Sequence, residues 1–132
     1  MAAAAAVGIF GTALAIVPLG ADLAFRRLIY GGSYPGDFGP EALEYVRFAH
    51  AVLGSVMAGW SVALLAILVG PFGRRERWAW RAIAGSLALW YVADTAASLG
   101  TGFWQNAVLN TVILVAFLPP LAATRASMVP GP

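Results

Sequence analysis

Cysteine and lysine are both absent from this 132-residue sequence, and histidine occurs once. The lack of cysteine excludes disulfides, iron–sulfur clusters, thiolate metal sites and cysteine nucleophiles. Charged residues make up only 11% of the chain, and their net charge of +2 gives no support for nucleic-acid binding. Such a sparsely charged chain does not match the composition of a soluble globular domain.

Apolar residues are abundant instead, at 61% of the sequence. They are concentrated in four segments, each close to the roughly 20 residues that a helix needs to cross the hydrocarbon core of a bilayer. Backbone polar groups find no water at that depth, so each span has to be helical. We predict an all-α integral membrane four-helix bundle that forms a single domain, residues 1–132. The predicted spans are 2–24, 45–69, 79–99 and 103–123, with an outer loop at about 25–44.

The first segment has some features of a cleaved secretory signal. Its n-region carries no positive side chain, however, and Arg26 and Arg27 follow it directly, so we expect a retained span with a kink at Pro18. The outer loop is rich in glycine and proline, which indicates consecutive turns. Pro40 and Glu41 are typical of a helix start, and the sequence therefore predicts that the second helix begins before its span.

The arginines predict the orientation. Four of them lie between positions 74 and 81, in the connection between spans two and three, and cytoplasmic loops carry this kind of excess. Both termini then lie inside, where Arg125 adds a fifth charge against three outside, giving an N-in/C-in topology. Abundant alanine, glycine and arginine without lysine is typical of GC-rich bacterial genomes. We therefore expect a multi-pass protein of the bacterial inner (plasma) membrane, surrounded by the lipid bilayer.

An acidic residue, Asp94, lies inside the third apolar segment. A charged side chain at the centre of a membrane helix costs about 2.5–3.5 kcal/mol on insertion scales, so it needs a partner or a function. At 1.5 Å per residue, Asp94 is about 9 Å from the outer end of its span, and His50 is about 8 Å from the outer end of the second span. Because the two depths match, we expect Asp94 to pair with His50 or Arg47.

Further polar residues follow helical spacing at the same depth. Tyr91, Asp94 and Ser98 share one face of the third span, and Asn106 and Asn110 share one face of the fourth. We expect these faces to turn away from lipid and to form a polar cavity open toward the outer side. The alternative is that they only fasten helices together. The candidate ligand-binding or buried polar cluster consists of His50, Asp94, Arg47, Tyr91, Ser98, Asn106 and Asn110, and we expect no metal site.

The chain resembles small bacterial membrane proteins that are broadly DoxX-like. The resemblance is carried by Glu76-Arg77-Trp78-Ala79-Trp80, followed by Leu89-Trp90-Tyr91-Val92-Ala93-Asp94-Thr95. It covers spans two to four, and it rests on an arginine–tryptophan start to the third span and on an Asp-Thr pair inside it. The resemblance implies a four-helix fold rather than a particular activity.

Two classes of function remain open. In the first, the protein has no complete catalytic machinery and is an accessory subunit of a membrane complex, or binds a small lipophilic ligand in the outward-facing polar cavity. Its protein partner would be another membrane protein or a second copy of the chain. In the second, the protein is a membrane enzyme or a proton-coupled carrier that uses His50 and Asp94. One histidine without a CxxCH motif argues against haem, and we expect no cofactor.

Overall fold

The computed structural model describes residues 1–17, 20, 23, 26–29 and 38–129, and their regular structure is helical, as predicted. The residues group into two units, Met1–Leu65 and Ala66–Pro132, and each has its own internal packing. The boundary between the units falls inside a helix. The helices are α1 (Ala2–Ile16), α2 (Pro40–Ile67), α3 (Arg77–Gly100) and α4 (Trp104–Arg125), and a π-helical turn, Leu68–Phe72, continues α2.

Among the described residues, three helical segments are long and apolar enough to cross a membrane. They are Pro40–Phe72, Arg77–Gly100 and Trp104–Arg125. Their ends differ by only a few residues from the second, third and fourth predicted spans, and α2 begins at Pro40, where the sequence predicts a helix start. The four-helix bundle and its orientation in the membrane stay predictions.

Helix α1 ends earlier than the first predicted span. It has 15 residues, or about 22 Å at 1.5 Å per residue, which is less than the hydrocarbon core of roughly 30 Å. Val17 leaves the helical conformation, with φ −117° and ψ 71°, because the ring of the following proline disfavours helical backbone. Residues 20, 23 and 26–28 are helical again. Pro18, Asp22 and residues 30–37 of the predicted outer loop lie outside the described residues.

Helices α1 and α2 pack through glycine, with their backbones in direct contact. A Cβ atom added to Gly11 would lie 2.8 Å from the carbonyl oxygen of Gly54, and one added to Gly54 would lie 2.7 Å from the amide nitrogen of Ala15. No larger residue fits without a shift of the backbone. About two helical turns after Gly54, the buried Ser61 hydroxyl donates a hydrogen bond to the carbonyl oxygen of Ala4 at 2.7 Å. Among its described residues, the first unit is therefore held together by small residues and by a buried polar contact.

Helices α3 and α4 form a hairpin with a tight turn at residues 101–103. Gly102 has φ 84°, a conformation that favours glycine. The amide of Phe103 donates to the carbonyl oxygen of Ser98 at 2.8 Å, and the amide of Thr101 donates to that of Ala97 at 3.0 Å. These bonds satisfy carbonyl groups that the end of a helix otherwise leaves open. They also set the first turns of α4 beside the last turns of α3, where most of the predicted polar residues lie.

Candidate functional site

A row of polar side chains joins α3 to α4 near the turn of the hairpin. Four residues of α3 and three of α4 form four cross-helix contacts, in which each side chain reaches across to the facing helix. We call this row the polar seam. Its members are Tyr91, Asp94, Thr95 and Ser98 on α3, and Asn106, Asn110 and Thr111 on α4.

The polar seam is the continuation of an apolar stripe on α3. Ala79, Ile83 and Leu87 are buried at steps of four residues along this helix. The same step leads on to Tyr91 and Thr95, because residues four apart lie on one helical face. One contact face is therefore apolar near the start of α3 and polar near its end.

Asn106 is the central donor of the polar seam. Its side-chain amide donates to Oδ1 of Asp94 at 2.9 Å and to Oγ of Ser98 at 2.8 Å. The Ser98 hydroxyl is itself buried, donates to the main-chain carbonyl of Asp94 at 2.7 Å and lies 3.3 Å from Oδ1. A hydrogen bond to a carboxylate is stronger than one between neutral groups, so this contact fixes the orientation of Asp94.

The seam becomes weaker in hydrogen bonding further from the turn. The buried Asn110 side chain reaches Oγ1 of Thr95 only at 3.5 Å, which is longer than the usual range for a hydrogen bond. The hydroxyl groups of Tyr91 and Thr111 lie 3.2 Å apart, and Thr111 also donates to the carbonyl oxygen of Ala107 at 2.8 Å. The most constrained polar group is therefore the Asp94 carboxylate at the end nearest the turn.

The two carboxylate oxygens of Asp94 differ in their hydrogen bonding. Oδ1 receives the Asn106 amide, whereas Oδ2 accepts no hydrogen bond from any described residue. The Asp94 residue as a whole is half-buried. A second acceptor in this part of α4, Oε1 of Gln105, is buried without a hydrogen-bond partner among the described residues. The hairpin thus presents more acceptor oxygens than its own donors satisfy.

The structure brings five of the predicted site residues into the seam, namely Tyr91, Asp94, Ser98, Asn106 and Asn110. The other two belong to the first unit, where Arg47 is exposed and His50 is half-buried on α2. Pairing of Asp94 with either of these two residues stays a prediction, as does the role of the whole cluster in binding.

Two seam residues, Thr95 and Thr111, are additional to the predicted set. Each directly follows a predicted residue in the sequence, Asp94 and Asn110 respectively. A helical stripe drawn at steps of three and four passes over such neighbours, although a residue one position on is rotated by only about 100° and still reaches the flank of a contact face. Hydroxyl groups adjacent to predicted contact residues are the signal that would have identified them.

Within the described ranges, no group of three histidine, aspartate or glutamate side chains is placed to hold a metal ion.

Comparison of the chain with protein-family models, with curated proteins and with solved structures gives no match. The DoxX-like resemblance therefore stays a prediction, and what the protein does has to be argued from its own residues.

Proposed function

We propose that this chain is a small multi-pass protein of the bacterial inner membrane that binds a small lipophilic ligand through the polar seam. Three helices of sufficient length and apolar character support the membrane location. Their outer surfaces carry bulky apolar side chains, with Leu89 on α3 and Val112 on α4 exposing 72% and 61% of their surface. Apolar surface on this scale needs lipid or another apolar partner to cover it.

The single observation that carries the binding proposal is the state of the Asp94 carboxylate. Oδ1 accepts a hydrogen bond from Asn106, while Oδ2 of this half-buried residue receives no donor from the described residues. In an apolar medium a carboxylate oxygen without a donor is costly, because no water replaces the missing hydrogen bond. A lipophilic molecule with a hydroxyl or amine group supplies that donor and at the same time covers the apolar flanks of the hairpin. The seam then binds its ligand without transforming it.

Native mass spectrometry of the full chain, extracted gently from its own membrane, tests this proposal. Asp94→Asn keeps the size of the side chain and an oxygen that accepts from Asn106, but it replaces the other oxygen with a donor. Thr111→Val is the matched control, since it removes one hydrogen bond of the seam at a distance from the carboxylate. We expect a small co-purifying molecule on the wild type and on Thr111→Val that is absent from Asp94→Asn.

Three other outcomes would overturn the proposal in different ways. A stoichiometric membrane protein in place of a small molecule would make the chain an accessory subunit, with the seam or the apolar surface as its docking face. Proton uptake on ligand addition that is lost in both Asp94→Asn and His50→Ala would make it a proton-coupled carrier or enzyme. Equal amounts of ligand on wild type and Asp94→Asn would reduce the seam to a structural fastening.

A further inference from the structure

A basic cavity lies at the opposite end of the hairpin from the polar seam. It is formed where α3 begins and α4 ends, and its volume is about 540 Å³. Seventeen residues separate Arg77 from Asp94, or about 25 Å along the helix, so this cavity is independent of the seam. Three arginines, one tryptophan and a methionine supply most of its lining: Arg77, Arg81, Arg125, Trp80 and Met128.

Contacts inside the cavity hold two of its three guanidinium groups. The indole N–H of Trp80 donates to the carbonyl oxygen of Leu121 at 2.8 Å, which fixes the ring against α4. The guanidinium carbon of Arg125 lies 5.6 Å from the centre of that ring, within the range of a cation–π contact. Nη2 of Arg77 lies 3.4 Å from the carbonyl oxygen of Met128, to which it donates. The guanidinium groups of Arg77 and Arg125 are therefore held in place in the lining of the cavity.

The short segment after α4 closes one side of the cavity. The amide of Arg77 donates to the carbonyl oxygen of Val129 at 2.9 Å, and the amide of Val129 donates to that of Arg75 at 2.8 Å. These two backbone bonds tie the end of the described chain to the start of α3. They keep Met128 buried beside Arg77, so the lining depends on backbone contacts and not on side chains alone.

No carboxylate among the described residues neutralises these three arginines. The nearest acid in sequence, Glu76, is bonded to Arg74 at 2.6 Å and to the indole N–H of Trp78 at 2.6 Å. These two hydrogen bonds lower the pKa of the Glu76 carboxyl below its ordinary value, and they engage it outside the cavity lining. The positive end of the α3 dipole and the negative end of the α4 dipole meet here and offset each other, so the arginines determine the local charge.

We propose that this cavity binds the phosphate group of an anionic phospholipid. Guanidinium groups match phosphate oxygens with paired hydrogen bonds, and basic pockets between membrane helices bind anionic headgroups on the cytoplasmic side. The arginine-rich connection is predicted to face the cytoplasm. Trp78, which directly follows the lining residue Arg77, is about half exposed and provides apolar surface for acyl chains. This inference rests on the proposed membrane location but not on any ligand at Asp94.

The test uses the full chain in nanodiscs of phosphatidylcholine with a minor fraction of phosphatidic acid. Retained lipid is counted by native mass spectrometry after release from the disc. We compare Arg81→Gln/Arg125→Gln with a control of equal charge, Arg27→Gln/Arg75→Gln, whose arginines are exposed and do not line the cavity. A parallel titration with inorganic phosphate, in detergent and without lipid, asks whether a soluble phosphate binds equally well.

At about fivefold per arginine, the cavity double variant should retain about 25-fold less phosphatidic acid than the wild type, while the control stays close to the wild type. Equal retention by both double variants would overturn the cavity assignment. Inorganic phosphate that binds the wild type as tightly as the lipid would overturn the lipid source and make the ligand a soluble phosphate. If the double variant does not fold, Arg81→Gln alone should still give the fivefold loss, and its absence would overturn the proposal. A failure of the Asp94→Asn experiment affects none of these outcomes.

Discussion

The two units of this protein differ in the contacts that hold their helices together. In the first unit, α1 and α2 approach so closely at Gly11 and Gly54 that a single added Cβ atom would meet backbone. In the second unit, α3 and α4 are joined by polar side chains that reach across from one helix to the other. Close backbone packing and interhelical hydrogen bonds are the two means by which helices associate where lipid removes the hydrophobic driving force.

The difference between the units indicates where binding can occur. A glycine contact offers no polar group to a ligand. The backbones of the two helices already touch there, and the backbone N–H and C=O groups are bonded within each helix. The polar seam, in contrast, contains a half-buried carboxylate with one oxygen bonded and one that receives no donor from the described residues. We therefore expect binding chemistry on the hairpin rather than at the glycine contact between α1 and α2. Substitutions in each unit test this difference.

The largest effect is expected at the glycine contact. Gly54→Ala adds a Cβ atom 2.7 Å from the Ala15 amide nitrogen, so the helices must shift, and overpacking of this kind costs about 1–3 kcal/mol. Gly59→Ala is the matched control, since a Cβ atom there has no neighbour within 4 Å. Thermal unfolding in detergent should show a lower midpoint for Gly54→Ala only. Equal midpoints for the two variants would contradict the close packing of α1 on α2.

A smaller effect is expected in the polar seam. Asn106→Ala removes the donor to Asp94 and Ser98, and it should lower the free energy of unfolding by about 1–2 kcal/mol, since one of the two bonds is to a carboxylate. Thr111→Val removes one neutral cross-helix contact, with Tyr91, and one bond to a carbonyl of its own helix, and the lost cross-helix contact should cost about 0.6 kcal/mol. The same unfolding assay measures both. A larger loss in Thr111→Val than in Asn106→Ala would show that the carboxylate is not the centre of the seam.

The long apolar segments predict most of the helices, because a single apolar segment in a bilayer satisfies its backbone hydrogen bonds as an α-helix. The helices at the second to fourth predicted spans therefore begin and end within a few residues of the predicted positions. The early end of α1 at Ile16 depends on a single residue, Pro18, which follows Val17. The sequence predicts a kink at this proline, whereas the described backbone shows that α1 ends at Ile16, before the proline.

Helical spacing predicted which polar residues of one helix share a face, but it contains no information on how two helices are aligned. The alignment of Asp94 with Asn106 is determined by the turn at Gly102 and by the Phe103–Ser98 bond, which are properties of three-dimensional structure. From the sequence alone, Arg81 and Arg125 indicate only the orientation of the chain. Their meeting with Trp80 in one cavity depends on the same hairpin geometry.

The most direct test is to label the two ends of the hairpin from opposite sides of the membrane. Thr101 in the turn and Ser127 after α4 are both exposed, and the absence of native cysteine makes a single introduced cysteine the unique target of a maleimide. In spheroplasts, a membrane-impermeant maleimide should label Thr101→Cys directly and label Ser127→Cys only after the membrane is permeabilised. Equal labelling of both positions without permeabilisation, or the reverse pattern, would contradict a hairpin that crosses the membrane with its polar seam outside and its basic cavity inside.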